Sequence, residues 1–403
     1  MIDWLTRVER ERPFLKTPDR VWSYGDAVVE VNQRLASSKH VVAPGLTAEG
    51  VFDCLGAISA GGAVLAGSGI DAPGLNNMQG ADLVLFTSGS TGTPKGVRFS
   101  TGNLKAASRA SMAHLGHGPD DTWLLAMGLH HVAGLSIVVR SAAAGGSVRM
   151  LSDFDAGAFA TAMKGDVTMV SVVPAMLHQI LDRDAGPYSG LRAVLVGGGP
   201  VPKGLLERAA EAGLPVLPTY GMTETFGQVA TLRPNSPLAY HAHPLPGVEL
   251  RIGDDGRIEV KSDQVSPGYL GEPDRESAWF TTSDIGEINP EGAVRILGRA
   301  DTVIVTGGEN VDPIRVESEI RSLGIEEVVV VGLPDDEWGS ILVAVYSGEG
   351  SPEMVEKAMK ERLPRFMVPS RWVAVEEIPT TELGKPDRPA AARLAGDSGL
   401  GVC

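Results

Sequence analysis

The chain has 403 residues, 43% hydrophobic and 21% charged, and its 50 acidic and 35 basic residues give a net charge of −15. This balance disfavours a nucleic-acid or anionic-membrane surface, which needs clustered lysine and arginine, and fits one large or two globular domains. Cys54 and Cys403 are the only cysteines, which excludes a disulfide framework or a cysteine-based metal site and predicts a reducing, cytoplasmic location.

The first 20 residues are charged and lack the apolar centre of a signal peptide. No stretch of the sequence approaches the about 18 apolar residues that a membrane span needs. We therefore expect neither export nor a membrane span, and small molecules as partners rather than nucleic acid. Whether the chain forms a homo-oligomer is left open.

Between residues 83 and about 235, a short apolar run is repeatedly followed by a glycine-rich or polar turn and then by a segment with helical spacing. Continuous apolar strands that alternate with helices are typical of a mostly parallel sheet covered on both faces. The five runs are LVLFT, TWLLAM, VTMVSVV, RAVLVGGG and LPVLPTYG. Ligands of such sheets bind where the strands end in loops.

The segment TSGSTGTPK, residues 87–95, follows the first run and precedes Gly96 and the segment VRFS, which alternates like a strand. Its glycines let backbone N–H groups approach a ligand, and its hydroxyls and Lys95 add further donors for a phosphate. It is not a Walker A loop, which requires G-x-x-x-x-G-K-[ST] at the start of a helix. We predict a phosphate-binding turn between two strands, with a flexible hairpin loop as the alternative.

From residue 247 the pattern changes to antiparallel hairpins, because VELRIGDDGRIEVKS and GEINPEGAVRIL each place a turn sequence between two strands. Further on, Asp312 and Pro313 predict the start of a helix over IRVESEIRSL. The strands EEVVVVG and ILVAVYS, a helix near 352–362 and the strand RWVAV follow. These patterns predict an antiparallel β-subdomain and then a small α+β domain, with a boundary near 298–301.

The loop TSGSTGTPKG resembles the signature loop of the adenylate-forming superfamily, which includes acyl- and aryl-CoA synthetases, peptide-synthetase adenylation domains and luciferases. Later segments resemble further motifs of that family in the same order: YGMTET (220–225), TSDIGEI (282–288), GRADTVIVTGGENVDP (298–313) and GKPDR (384–388). The resemblance implies an α/β fold. A domain of mostly parallel sheets flanked by helices is expected over 1–299, including an antiparallel β-subdomain over about 240–299. A small mobile α+β domain over 300–395 and a disordered tail over 396–403 follow.

The same resemblance implies an enzyme that uses ATP and Mg²⁺ to convert a carboxylate into an acyl-adenylate and then transfers the acyl group to CoA. The residues implied for nucleotide binding are Thr87, Ser88, Gly89, Ser90, Thr91, Lys95, Gly197, Gly198, Gly199, Tyr220, Thr223, Asp284 and Arg299. Their chemistry fits: Tyr220 can stack on an adenine, and Glu224 is a hard oxygen ligand suited to Mg²⁺. A helix start at Thr223, or a turn at Asp284, is the alternative when these residues are taken alone.

The catalytic residues implied by the resemblance are Lys385, Thr223, Glu224 and His131. The lysine that matches Lys385 bridges the attacking carboxylate and the α-phosphate, where negative charge accumulates; a solvated loop lysine is the alternative. The family uses two orientations of its small domain, and the matching hinge residue is Asp301. In the second orientation Gly307 and Gly308 form a tunnel for the pantetheine arm of CoA.

The segment GLHHVAGLSIVVRS, residues 128–141, resembles the family's gate over the acyl site, with His131 and Gly221 beside the substrate. No aspartate lies between Thr122 and Ser152, which disfavours an amino-acid substrate. Together with SVVPAMLHQIL, the segment resembles the o-succinylbenzoate–CoA ligases of menaquinone biosynthesis. A substrate with two carboxylates needs a cation for the one that is not activated, and Arg140 is the candidate. The alternative is an arginine at the surface or in a structural ion pair.

Three other functions stay open: another small aryl or acyl acid–CoA ligase, a non-catalytic nucleotide-binding relative, and a luciferase-like oxygenase. The presence of Lys95, Glu224, Asp284, Arg299 and Lys385 disfavours the second, and a CoA-dependent product distinguishes a ligase from an oxygenase. The histidine pairs 114/117, 130/131 and 241/243 lack ligand spacing, so we expect no zinc site.

Overall fold

The computed structural model describes residues 1–35, 41–42, 44–66, 78, 80–87, 94–184, 186–380 and 386–397. The strands of this part of the chain are β1 (Pro13–Lys16), β2 (Val21–Ser23), β3 (Val41–Val42), β4 (Ala63–Ala66), β5 (Leu83–Thr87), β6 (Lys95–Phe99), β7 (Thr122–Leu125), β8 (Ser147–Met150), β9 (Met169–Val172), β10 (Ala193–Val196), β11 (Val216–Met222), β12 (Gly227–Thr231), β13 (His243–Pro244), β14 (Glu249–Ile252), β15 (Arg257–Lys261), β16 (Phe280–Ile288), β17 (Val294–Arg299), β18 (Ile304–Thr306), β19 (Glu309–Val311), β20 (Glu327–Asp335), β21 (Gly339–Ser347) and β22 (Arg371–Ala374). The helices are α1 (Ile2–Leu5), α2 (Tyr24–Arg34), α3 (Ala48–Ser59), α4 (Thr101–Leu115), α5 (Val132–Ala144), α6 (Ala156–Met163), α7 (Pro174–Arg183), α8 (Lys203–Glu211), α9 (Pro313–Ser322), α10 (Pro352–Arg362) and α11 (Arg388–Asp397).

The largest sheet in the described residues has the strand order β13-β12-β11-β10-β9-β7-β8-β1-β2. Its centre, from β11 to β1, is parallel, and β12, β13 and β2 are antiparallel to their neighbours. Along β7, Leu124 packs in one core cluster with α6, α7 and α8, whereas Trp123 and Leu125 pack in the other with α5. Both faces of the sheet are therefore buried, which confirms the predicted mostly parallel, helix-covered sheet.

A second sheet has the order β3-β4-β5-β6. In it β5 is parallel to β4 and antiparallel to β6, with Thr87 opposite Lys95. The sequence pattern predicts that the LVLFT run lies in one parallel sheet with the other four runs. This prediction is wrong, because LVLFT forms β5, which belongs to the second sheet. An apolar run predicts that a strand is buried, but it does not say which strands lie beside it.

Local sequence explains where several helices begin and end. Before α4, the hydroxyl of Ser100 accepts a 3.2 Å hydrogen bond from the Asn103 N–H, and the Asn103 side chain accepts one from the Ser100 N–H. The predicted helix at 313 is confirmed as α9, and the Asp312 carboxylate accepts a 3.0 Å hydrogen bond from the Ile314 N–H. α4 ends at Gly116, whose φ of 63° lies in the left-handed region.

The two hairpins predicted between 247 and 298 are confirmed, as β14–β15 and β16–β17, which form a sheet of order β14-β15-β16-β17. β13 is different, because His243 pairs with Thr231 on β12 of the largest sheet. The residue before it, Ala242, forms an antiparallel bridge with Val294 of β17, so the chain contacts both sheets near the predicted start of the subdomain.

The C-terminal part contains the hairpin β18–β19 and the sheet β20-β21-β22. Along β20, Val328 and Val330 pack in a cluster with side chains of α9 and α10, whereas Val329 and Val331 pack in another with Ala391 of α11. This alternation follows from the two-residue period of a strand. The elements predicted here are confirmed, but α11 extends through Gly396 and Asp397, the first two residues of the predicted tail.

The chain divides into two compact units, each with a core of its own. The first comprises Met1–Arg251, Glu259–Thr281 and Ile288–Arg295. The second comprises Ile252–Ile258, Thr282–Glu287 and the chain from Ile296 onward. No helix in the described ranges is both long and apolar enough to span a membrane.

Candidate active site

The glycines after β10 lie at the edge of the largest sheet where the parallel strands end. β10 and β11 are parallel neighbours with Val196 opposite Pro218, so Gly197 lies beside the stretch of β11 that leads to Tyr220. A Cβ at Gly197 would lie 2.7 Å from the Thr219 carbonyl oxygen, and Gly198 has a φ of +79°. Only glycine fits both positions without strain, and the exposed backbone of Gly198 and Gly199 is open to a ligand.

The YGMTET motif forms the turn between β11 and β12. Thr223–Thr225 form a single 3-10 turn, and Phe226, with a φ of 48°, reverses the chain direction. A Cβ at Gly221 would lie 2.1 Å from the Gly227 carbonyl oxygen, so the two strands can approach this closely only with glycine there. Thr223 and Glu224 are therefore presented at the tip of a tight turn, half-buried, rather than at the start of an α-helix.

Glu224 is held by a segment further along the chain. Its carboxylate Oε1 accepts a 2.9 Å hydrogen bond from the Tyr269 hydroxyl, and its carbonyl oxygen accepts a 2.7 Å bond from the Ser266 N–H. Burial, and then the Glu224 carboxylate, raises the pKa of Tyr269, so its phenol keeps its proton and acts as the donor at neutral pH.

The carboxylate of Glu224 fits a magnesium ion that is held mainly by nucleotide phosphates. Tyr269 occupies one of the about four acceptor positions of the carboxylate, and Oε2 has no hydrogen-bond partner among the described residues, so it can serve as a hard oxygen ligand. The described residues include no group of three or more His, Cys, Asp or Glu side chains that could enclose a metal. At phosphate sites Mg²⁺ is bound by one or two carboxylates together with the substrate, and Glu224 can supply one such carboxylate.

The predicted phosphate loop connects two antiparallel strands, as expected. Thr87 ends β5 and Lys95 begins β6 directly opposite it. The predicted residues Ser88, Gly89, Ser90 and Thr91 lie outside the described residues. The Lys95 ammonium lies 4.9 Å from the centroid of the Tyr269 ring, within cation–π range. Lys95, Tyr269 and Glu224 therefore form one continuous group at the end of the loop.

His131 lies after β7, at the same edge of the largest sheet, as the residue that precedes α5. Its side chain is exposed, and the His130 and His131 rings are 4.1 Å apart at their centroids. Neighbouring protein atoms remove part of the hydration of the His131 ring, although the residue as a whole is exposed, and this lowers its pKa; burial together with the neighbouring His131 lowers the pKa of His130. Both imidazoles are therefore neutral at pH 7, and neither carries the charge that would bind a second anion.

Arg140 is buried in α5 with only 3% of its surface exposed. Its Nη2 lies 2.8 Å from the position that a Cβ at Gly227 would occupy, so the guanidinium reaches the start of β12 directly after the Thr223–Thr225 turn. Its Nε has no hydrogen-bond partner in the part of the chain that the structure describes, and no acidic side chain there is within ion-pair distance. Burial lowers the pKa of Arg140 to about 10, so it remains charged at neutral pH. A surface arginine does not fit this burial, and no ion-pair partner of Arg140 lies among the described residues.

His117, which follows α4, is a neighbour of Arg140 that the sequence does not reveal. It is 5% exposed, and its ring meets that of Trp123 edge to face at 5.2 Å. Neither ring nitrogen has a partner among the described residues. Burial first, and then the charge of Arg140, lowers the pKa of His117 to about 4.

The remaining predicted residues belong to the second unit. Asp284 lies on β16, where its N–H donates a 3.0 Å hydrogen bond to the Thr282 hydroxyl. Arg299, at the end of β17, pairs with Asp301. Gly307 and Gly308 form the exposed β18–β19 turn with φ of +57° and +83°, and a Cβ at Gly307 would lie 2.9 Å from the Trp338 ring. Lys385 lies outside the described residues.

Two aromatic residues beside these sites were not among the predictions. Tyr269 follows Gly268 in the segment SPGYLG, and Trp338, which is 53% exposed, lies in DDEWGS. The sequence signal available for each was a lone aromatic residue in a polar, glycine-containing turn. Such a signal is weak, because exposed aromatic residues scattered singly are normal on protein surfaces.

Comparisons with known proteins show the family of the chain. A model of the family described as AMP-binding enzyme matches residues 47–270, and one of the AMP-binding enzyme C-terminal domain matches residues 316–385. The 2-succinylbenzoate–CoA ligase of Listeria monocytogenes serotype 4b (strain F2365) is 35% identical over 377 residues, covering 89% of this chain and 80% of that protein.

Two solved structures of o-succinylbenzoate coenzyme A synthetase (MenE) from Bacillus subtilis are similar along almost their whole length. The complex with the acyl-adenylate intermediate OSB-AMP has a TM-score of 0.83 at 26% identity, covering 96% of this chain and 97% of that one. The complex with ATP and magnesium ion has a TM-score of 0.81 at 26% identity, covering 96% and 98%.

Proposed function

The chain belongs to the AMP-binding enzyme family, and from that membership we propose that it is an AMP-forming carboxylate–CoA ligase. In the first half-reaction a carboxylate oxygen attacks the α-phosphate of ATP, and diphosphate leaves. In the second, the thiol of CoA attacks the acyl carbon, and AMP leaves. The proposed substrate is o-succinylbenzoate, the substrate named for the Listeria relative and bound as its adenylate in the Bacillus complex.

The nucleotide is proposed to lie at the edge where the parallel strands end. Tyr220 offers its ring to the adenine, the backbone at Gly197, Gly198 and Gly199 approaches the base, and Thr223 donates to the α-phosphate. Lys95 and the loop before it, from Thr87 to Thr91, take the outer phosphates. Asp284 and Arg299 are assigned to the ribose on the family resemblance.

Mg²⁺, when bound with the nucleotide, neutralises charge on the phosphate oxygens. Glu224 is the residue proposed to hold it, supported by the oxygen that Tyr269 leaves available. The chain itself orients the Glu224 carboxylate and supplies the Lys95 ammonium, which lies 4.9 Å from the centroid of the Tyr269 ring.

The observation that carries the substrate proposal is Arg140, a buried guanidinium without an acidic partner in the described residues. A buried charge is costly unless it is paired, so a site of this kind is completed by an anion from the substrate. o-Succinylbenzoate has two carboxylates, and we assign the ring carboxylate to Arg140 while the succinyl carboxylate is activated. His131 and Gly221 are proposed to line the acyl site.

The small domain is proposed to act in both half-reactions. Lys385 stabilises the charge on the attacking carboxylate and the α-phosphate in the first, and Gly307 and Gly308 line the pantetheine tunnel in the second. Asp301 is the proposed hinge between an N-terminal domain over 1–299 and a mobile domain over 300–395. We also propose a cytoplasmic location, where ATP and CoA are available.

Diphosphate release across a panel of carboxylic acids, with and without CoA, tests this function. We expect o-succinylbenzoate to be the best substrate and a thioester to form only when CoA is present. A preference for a medium-chain fatty acid would overturn the substrate while leaving the ligase chemistry. Oxygen uptake or light emission from the adenylate would instead identify an oxygenase.

A further inference from the structure

We propose that Tyr269 is a positioning residue that sets the Glu224 carboxylate for a nucleotide-bound divalent cation and the Lys95 ammonium for the phosphates. The inference rests on the proposed function, because it assigns Tyr269 a role toward ATP and its metal. One side chain then orders two groups that reach the nucleotide from separate parts of the chain.

The contact with Glu224 determines which carboxylate oxygen is available to a cation. The Tyr269 hydroxyl donates to Oε1 at 2.9 Å, so this oxygen is engaged and the carboxylate cannot rotate freely about its last torsion. Glu224 is half-buried in a three-residue 3-10 turn, and the Tyr269 hydroxyl is the hydrogen-bond partner of its carboxylate among the described residues. The phenol therefore supplies the restraint that the backbone does not.

The contact with Lys95 restrains the ammonium proposed to bind the phosphates. Lys95 is exposed, and a lysine has a flexible four-carbon chain that loses much conformational freedom when its ammonium is fixed. The Tyr269 ring, 4.9 Å from the ammonium, holds that charge near the phosphate loop before the nucleotide arrives. Less entropy is then lost when the phosphates bind.

Tyr269 can do this because its own backbone is fixed to β6. The Leu270 N–H donates to the Gly96 carbonyl at 2.7 Å, and the Arg98 N–H donates to the Gly268 carbonyl at 3.0 Å. The Arg98 side chain, which is 2% exposed, adds a 3.1 Å bond from Nε to the Tyr269 carbonyl. The segment 268–270 is therefore an additional extended piece beside the strand that begins with Lys95.

Two variants separate the two contacts. Tyr269→Phe removes the hydroxyl and keeps the ring, and Tyr269→Leu removes both. Tyr188→Phe is the matched control, because its hydroxyl donates to the Asp184 carbonyl at 2.7 Å, outside this site. The measurement is the dissociation constant of ATP by calorimetry, without a carboxylic acid, in Mg²⁺ and again in EDTA.

We expect Tyr269→Phe to weaken ATP binding in Mg²⁺ by about tenfold, because the variant loses a hydrogen bond to a charged group. Binding in EDTA should be unchanged, because the Glu224 carboxylate then has no metal to hold. Tyr269→Leu should weaken binding in both conditions. In a Glu224→Gln background, Tyr269→Phe should have no further effect, because the carboxylate it positions is gone. Tyr188→Phe should match the wild type.

Equal ATP affinities for the wild type and Tyr269→Phe in Mg²⁺ would overturn the inference and leave the proposed function standing. An equal loss in Mg²⁺ and EDTA would do the same, since it indicates a structural role. If the folded wild type binds no ATP in either condition, the proposed function is wrong, and the inference about Tyr269 is wrong with it. The melting temperature of each variant shows whether a loss of binding comes from loss of the fold.

Discussion

The guanidinium of Arg299 forms two hydrogen bonds with the carboxylate of Asp301, from Nε to Oδ1 at 2.9 Å and from Nη2 to Oδ2 at 3.1 Å. The residue assigned to the ribose is thus paired with the residue assigned to the hinge. Both side chains are about two-fifths exposed, and a pair of this kind contributes at most about 1 kcal/mol. Arg299 can therefore exchange this carboxylate for another partner at small cost.

Replacement of Asp301 by proline should slow acyl transfer to CoA by about tenfold or more, while acyl-adenylate still forms, because proline removes a hinge torsion. Proline at 301 also restricts Ala300, whose N–H donates to the Ser283 carbonyl at 2.7 Å. Single-turnover measurement of each half-reaction checks this.

Asp301→Ala is the control, since it removes the carboxylate that pairs with Arg299 and leaves the backbone free to rotate. Acyl transfer should stay near the wild-type rate in this variant. Unchanged acyl transfer in the proline variant would exclude Asp301 as the hinge.

Lys385→Ala should lower the rate of adenylate formation by about a hundredfold to a thousandfold, the usual loss when one donor to a developing oxyanion is removed. Conversion of pre-formed acyl-adenylate to the thioester should be nearly unaffected, because Lys385 acts in the first half-reaction. Diphosphate release and thioester formation from the adenylate measure the two steps separately.

Lys360→Ala is the control for Lys385→Ala, because Lys360 is an exposed lysine of the same unit whose ion-pair partner among the described residues is the nearby Glu356. It should leave both half-reactions unchanged. If Lys385→Ala slowed both steps equally with its fold intact, the lysine would have no special part in adenylation.

Arg140→Ala should lower kcat/KM for o-succinylbenzoate by about two to four orders of magnitude, because losing one partner of a buried charge pair costs about 3–5 kcal/mol. Arg140→Lys keeps the charge but loses the forked donor geometry, so its activity should fall between the two. For 3-benzoylpropionate, which lacks the ring carboxylate, the loss should be much smaller. Steady-state kinetics with both acids checks this.

Arg140→Met provides the structural test of the same assignment. It replaces a buried charge that lacks an acidic partner in the described residues by an apolar side chain, so the melting temperature without substrate should not fall. A fall in melting temperature, or an equal kinetic loss with both acids, would make Arg140 a structural residue.

His117→Phe should reduce the loss of stability in mild acid. The folded state lowers the pKa of His117 from 6.5 to about 4, so below pH 6.5 the unfolded chain takes up a proton that the folded chain does not. Stability is therefore complete above pH 6.5 and falls as the pH drops toward 4, by about 2–4 kcal/mol for this group. Urea unfolding at pH 7 and pH 4.5 measures the difference.

Phenylalanine keeps the edge-to-face contact with Trp123 and cannot be protonated. The other charges that act on His117 are those of Arg140, Asp121 and Arg192, and they stay in place in this variant. His178→Gln is the control, since that histidine is exposed and pairs with Asp182 on its own helix. A stability difference between pH 7 and pH 4.5 that is the same in His117→Phe and the wild type would show that His117 does not titrate as described.

Much of the fold was predictable because its signals are local. The apolar runs that became β7, β9, β10 and β11 are each bounded by turn residues, and the helix α9 begins at Asp312 and Pro313 as its capping signal predicts. A strand after the TSGSTGTPK loop was also predicted, from the alternation of VRFS, and β6 begins two residues earlier, at Lys95. Each of these signals is complete within a few residues of the chain.

By itself, then, the sequence predicted many of the elements from residue 83 onward, indicated the family and showed the types of residue available for the chemistry. Only the tertiary structure decided that β5 belongs to a sheet other than the largest one. It also decided that Arg140 is buried without an acidic partner in the described ranges, and that Tyr269 bonds to Glu224, 45 residues away. These outcomes depend on which strands and helices become neighbours. Which elements become neighbours depends on the burial of whole faces of sheets and helices. A short run of residues therefore does not predict its neighbours.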